Sequence, residues 1–136
     1  MKNIQIITML TFAGILLALS CEKEKPEPML PYENVFGTWD WVSSTTGWGV
    51  TTYVDSVDYS QSLEVTPQGA YSWKRNDSIA EAHTYTVQID TVEGAQRFIY
   101  RFNDSSRVDQ SFYIEQDTLN LTDQCADCDA HKFVRK

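Results

Sequence analysis

Leu63-Glu64-Val65-Thr66-Pro67-Gln68-Gly69-Ala70-Tyr71-Ser72-Trp73 is the stretch whose reading decides the fold. Leu63 and Val65 alternate with Glu64 and Thr66, and Tyr71 and Trp73 alternate with Ser72 and Lys74. Successive side chains of a strand point to opposite faces, so each run makes one apolar and one polar face. Between the runs, proline presets φ and glycine tolerates a positive φ, so residues 67–69 read as a hairpin turn.

The same period extends outward. Tyr85, Val87 and Ile89 alternate with Thr84, Thr86 and Gln88; Phe98, Tyr100 and Phe102 with Arg97 and Arg101; Phe112 and Ile114 with Ser111 and Glu115. Leu119 and Leu121 alternate with Thr118, Asn120 and Thr122, and Phe133 lies between Lys132 and Val134. Turn chemistry separates them at Asn76-Asp77-Ser78, Val92-Glu93-Gly94-Ala95, Asn103-Asp104-Ser105-Ser106 and Gln116-Asp117. From Val35 onward no segment of ten residues shows a helical period. With an opening strand around Trp39 and another near residues 51–54, about eight or nine short antiparallel strands are expected, in a meander barrel or a sandwich, with up-and-down closure favoured. Consecutive hairpins need no crossover, and closing the sheet removes its edges. The fold class is therefore all-β: a single antiparallel up-and-down barrel of about eight strands over residues 34–136.

Upstream the chemistry changes. Lys2 precedes a largely apolar run at residues 4–19, interrupted only by Gln5, Thr8 and Thr11. A membrane-spanning helix needs about 20 apolar residues, and this run stops short at Ser20 and Cys21, as a secretory signal does. Leu17-Ala18-Leu19-Ser20-Cys21 resembles the lipobox of bacterial lipoproteins. That resemblance implies removal of residues 1–20 and a lipid on Cys21, through which a membrane is the expected partner. Two acyl chains, each contributing about 0.8 kcal/mol per buried methylene, suffice for stable anchoring. After Cys21 the chain is charged and proline-rich to residue 33 and reads as a tether, spanning about 20 Å as a coil and roughly 40 Å extended. The acidic residues after the cysteine loosely resemble signals that route lipoproteins to the outer membrane, where either face is open.

Without residues 1–20 the chain has 116 residues, one domain's worth. It then carries ten Lys and Arg against nineteen Asp and Glu, a formal charge of −9, with no basic cluster except Arg135-Lys136. Nucleic-acid binding is disfavoured. A monomer is expected.

Val35-Phe36-Gly37-Thr38-Trp39-Asp40-Trp41 opens the first strand with Gly-x-Trp. Together with Leu63 to Trp73, His83-Thr84-Tyr85-Thr86-Val87, and an ending from Asp117-Thr118-Leu119-Asn120-Leu121 to Phe133-Val134-Arg135-Lys136, this layout is similar to the small lipocalin-like lipoproteins of Gram-negative envelopes. The resemblance implies that Trp39 seals one barrel end with Arg135 across its ring and Gly37 allowing a close chain passage. An eight-stranded barrel is just wide enough to be filled by side chains or to hold one small ligand. Trp41, Tyr71, Trp73, Tyr85, Tyr100 and Phe112, with Phe98 and Phe102, could line an apolar cup whose hydroxyl and indole N–H groups orient a ligand. Equally, these rings could interdigitate and fill the interior.

Cys125-Ala126-Asp127-Cys128 is a C-x-x-C. In an exported protein a local disulfide is expected, with free thiols or a metal as the other outcomes. His83 and His131 fall on apolar strand faces, and Glu64, Glu81 and Glu115 are expected to point outward. No nucleophile elbow, zincin or phosphate-loop motif occurs, so no catalytic residue, metal or cofactor is implied. The expected function is that of a lipid-anchored envelope protein binding a small apolar or amphipathic molecule. The alternative is a non-catalytic interaction or inhibitor module, for which a packed interior and an exposed aromatic loop around Trp48 and Tyr53 would speak.

Overall fold

The alternation around Trp39 becomes β1 (Gly37–Thr45), whose Trp39 and Trp41 point inward. A computed structural model describes residues 32–136; the signal segment 1–20, Cys21 and tether residues 22–31 lie outside them. After β1 follow β2 (Thr51–Tyr53), β3 (Gln61–Val65), β4 (Ala70–Arg75), β5 (Ser78–Val92), β6 (Ala95–Phe102), β7 (Gln110–Glu115), β8 (Thr118–Asp123) and β9 (Ala130–Arg135). From β3 to β9 each strand pairs antiparallel with the next, and β3 also pairs with β1. β9 returns to β1 through Trp39↔Arg135, Trp41↔Phe133 and Ser44↔His131. The result is a closed eight-stranded up-and-down barrel. β2 is a ninth strand, paired with β1 only at Ser43–Thr45, beyond the point where β3 leaves it.

Local chemistry sets the hairpins. Asn76 and Asp77 both take positive φ (48° and 61°), as do Glu93 and Gly94 (51° and 80°), giving two-residue turns that match the strand twist. At Pro67-Gln68-Gly69, Gly69 adopts φ 84° and donates its N–H to the Thr66 carbonyl, a three-residue turn with a bulge. Two further bulges matter more. Val42 is extra between Trp41 and Ser43 where β1 meets β9, and Ala80 is extra where β5 meets Trp73 and Lys74 of β4. A bulge shifts side-chain parity by one. The first turns Ser44 to the His131 side, and the second leaves Ile79 outward and exposed.

The strand ends divide the barrel into two ends. One carries the start of β1, the turns at 66–69, 93–94 and 116–117, and the C-terminus; the other carries the β1–β2, β2–β3, β6–β7 and β8–β9 connections and the turn at 76–77. Inside, Trp39, Leu63, Val65, Tyr71, Tyr100, Phe112, Leu119, Leu121 and Phe133 are buried. Rings interlock: Tyr100 stacks on Phe112 with centroids 4.2 Å apart, and Tyr71 meets Phe102 edge-on at 5.0 Å. Fully burying each such side chain contributes about 1.5–3 kcal/mol.

The first end is closed by chain ahead of β1. Tyr32 and Glu33, assigned from sequence to the tether, belong structurally to the body. Tyr32 packs edge-on against Phe98 at 5.6 Å, and Glu33–Val35 form a 3-10 turn. Buried Val35 accepts the Trp39 indole N–H at 2.7 Å. Arg135 lies over Trp39 with Cζ 4.2 Å from the ring centroid. Gly37, at φ 127°, passes so close that a Cβ there would sit 3.4 Å from the Arg135 guanidinium.

Candidate functional site

Toward the second end the barrel's chemistry changes while its geometry does not. Inward parity continues one step past the apolar residues of each strand, and the residue there is polar. Leu63 and Val65 lead back to Gln61, Phe112 to Gln110, Leu121 on to Asp123, Phe133 back to His131 and Tyr85, through His83, to Glu81. Trp73 is register partner of Glu81, so the two project from the same face. Glu81 therefore points into the mouth, contrary to the outward placement expected from its charge. Its partners are inside: Arg107 Nη1 at 3.2 Å and His83 Nε2 at 3.5 Å.

A polar network makes the floor of this mouth. The buried Tyr71 hydroxyl donates to Gln110 Oε1 at 2.9 Å, and Gln110 Nε2 donates to Asp123 Oδ1 at 2.6 Å. Arg107, reaching in from the β6–β7 loop, stands between Glu81 and Asp123, with Nη2 3.8 Å from Asp123. Burial pushes the Tyr71 hydroxyl pKa well up, so the group stays a neutral donor. Above the floor is a recess of about 240 Å³ whose walls include Gln61, Trp73, Glu81, Arg107, Asp129 and His131. Drug-sized sites run about 300–1,000 Å³, so this one suits a single ring or a head group.

Two walls are oriented by their neighbours. The Trp73 indole N–H donates to Gln61 Oε1 at 2.8 Å, which leaves the Gln61 amide N–H groups free of protein partners among the described residues. The Trp41 indole N–H donates to Ser44 Oγ at 2.8 Å, and Ser44 lies 2.6 Å from His131 Nδ1. Burial lowers the His131 pKa, so the ring is neutral near pH 7. The Val42 bulge brings Ser44 to this position.

The remaining mouth is partly covered. Tyr59, on the β2–β3 connection, stacks over Trp41 with centroids 6.3 Å apart, and Arg75 Cζ lies 4.2 Å from the Tyr59 ring. Cys125 and Cys128 are joined in a disulfide across the β8–β9 loop. The β1–β2 loop packs on that loop so tightly that a Cβ on Gly47 would lie 2.1 Å from the Asp127 backbone. From this loop Trp48 projects 83% exposed, beside exposed Val50, Tyr53 and Val54.

Of the aromatic residues considered from sequence as ligand contacts, Trp73 lines the recess, while Trp41, Tyr71, Tyr100 and Phe112 lie packed in the core below. Tyr85 is turned toward the closed end, where its hydroxyl donates to the Thr66 carbonyl at 2.7 Å. Gly37, Trp39 and Arg135 come together there too. Sequence reading missed Gln61, Ser44, Arg107, Gln110 and Asp123 as mouth residues. For Gln61, Gln110 and Asp123 a signal existed, since each extends an apolar alternation by one step. Ser44 depends on a bulge and Arg107 on a loop, and neither leaves a periodic mark. Among the described residues no group of three His, Cys, Asp or Glu side chains could hold a metal ion. No protein-family model, curated protein or solved structure matches this chain.

Proposed function

We propose that this chain is a lipid-anchored, lipocalin-like protein of the bacterial outer membrane that binds a small amphipathic molecule at the open mouth of its barrel and performs no catalysis. The observation that carries the reading is the recess of about 240 Å³ over a core that is otherwise filled with side chains. A wholly apolar ligand is poorly served there. Burying polar walls without hydrogen bonds costs free energy, whereas a polar head can satisfy Gln61, Glu81 and Asp129 while an apolar part rests by Trp73. The Gly37-Thr38-Trp39 entry with Arg135 over the indole supports the lipocalin-like assignment.

A second reading has its own support. The exposed Trp48, Val50, Tyr53 and Val54 around the rim suit a non-catalytic interaction module that binds a protein through its loops. Native mass spectrometry of protein extracted gently from its own envelope separates the two. A co-purifying small molecule that disappears in Trp73→Ala supports the mouth-ligand reading. A bare barrel that retains a protein partner, lost in Trp48→Ala, overturns it in favour of the second.

A further inference from the structure

The recess holds donors and acceptors side by side with nearly balanced charge, and this combination selects a class of head group. Resting on the mouth as ligand site, we infer that the recess binds an uncharged polyhydroxylated ring, the sugar head of a glycoside. Three carboxylates face the recess, from Glu81, Asp123 and Asp129, against the guanidinium groups of Arg75 and Arg107. Arg75 is engaged by the Tyr59 ring, and Arg107 by Glu81 and Asp123. An entering anion would meet three carboxylates, and an entering cation would meet Arg107 already in the central position. Neither sign of charge gains much.

Hydrogen-bonding capacity, by contrast, is left over in both directions. On the donor side, the Gln61 amide N–H groups are without protein partners among the described residues. For acceptors, among the described residues the Asp129 carboxylate makes no hydrogen bond, and Glu81 uses only Oε2. A hydroxyl both donates and accepts, and two neighbouring hydroxyls on a ring can donate to a carboxylate while accepting from a guanidinium or amide. Carboxylic, ammonium or alkyl groups use one of these capacities or none. The volume of about 240 Å³ admits one ring and not a chain of them. Trp73, 8% exposed, contributes an apolar edge to the wall of the recess.

The test is calorimetric titration of the protein, in a non-glycosidic detergent at pH 7, with the methyl glycosides of glucose, galactose, mannose and N-acetylglucosamine. Octanoate and octylammonium serve as charged amphiphilic probes. One methyl glycoside should bind saturably at one per chain. Its affinity should fall at least tenfold in Glu81→Gln and in Asp129→Asn, each keeping side-chain size, and stay unchanged in Glu115→Gln at the closed end. Binding that all three variants leave untouched would place the sugar elsewhere and overturn the inference. Silence toward every glycoside, with octanoate bound more tightly or octylammonium more weakly in Glu81→Gln, would overturn the sugar head and keep the mouth as a ligand site. Silence toward all probes would overturn both readings.

Discussion

Arg135 sits over the face of Trp39 at 4.2 Å and, with the same guanidinium, donates to the main-chain carbonyls of Phe36 at 3.3 Å and of Asn34. The last strand is thereby fastened to the chain that precedes the first. Because the indole N–H is held by Val35, the Trp39 ring is fixed from both sides. Trp39→Ala should destabilise by about 3–5 kcal/mol, as large aromatic truncations in cores do. Arg135 is solvent-exposed, so Arg135→Ala should cost about 1 kcal/mol. Urea unfolding of both single variants and the double should show coupling; additive losses would mean that the stacked pair contributes nothing as a pair.

Gly47 should be intolerant of any side chain. Its missing Cβ would lie 2.1 Å from backbone atoms of Asp127, which cannot swing aside as a side chain can. Gly47→Ala should cost about 1–3 kcal/mol, the range of overpacked sites. Gly49→Ala meets open space and only the strain of φ 83°, so its cost should stay near 1–2 kcal/mol. Thermal melts of the pair would rank them, and equal losses would deny a tight contact between the two loops.

The Cys125–Cys128 disulfide closes a very short loop. Thiol counting on denatured, unreduced protein should find neither cysteine free. Replacing both by alanine should cost less than the roughly 3 kcal/mol expected of a 15-residue loop, since cross-link stabilisation grows with loop length. A larger loss would show that the bond also positions the Gly47 and Asp127 contact.

Alkaline stability should fall in a defined window. Burial pushes Tyr85 up to about 12 and also raises Tyr71 and Tyr100 well above their ordinary value. In the unfolded chain these hydroxyls lose protons near pH 10. Below pH 10 both states hold the protons and stability is intact; above it the unfolded state alone releases them, so stability drops from pH 10 toward 12. Phenolate absorbance should show these three of the seven tyrosines ionising only as the barrel unfolds. Free titration of all seven in folded protein would contradict the packed interior.

Metabolic labelling with a fatty acid should tag the wild type through Cys21, and Cys21→Ser should lose the label and release the body from membranes. Label retained on the serine variant would refute the lipoprotein reading.

Strand number, hairpin positions and closure were legible because each rests on nearest-neighbour chemistry. Period two marks faces, and residues such as Asn76, Asp77, Glu93 and Gly94 tolerate the positive φ that tight turns demand. The direction of Glu81 was misread because charge was taken as a sign of the outer face, when parity with His83 and Tyr85 turns it toward the mouth, where it remains exposed. Residues 54–60 left no strand signal, and only packing reveals that Val57 reaches the core and Tyr59 covers Trp41.

The sequence by itself determined an all-β chain of alternating strands and turns with its aromatic faces turned one way, since side-chain alternation and turn propensity act over a few residues. Only the tertiary structure decided that the aromatic interior is packed and that the recess at the mouth is polar. Which inward residue is buried depends on its height along the barrel axis, and that height is set by strand register, by the bulges at Val42 and Ala80, and by Arg107 entering from a loop. These are relations between residues far apart in the chain, and no local pattern encodes them.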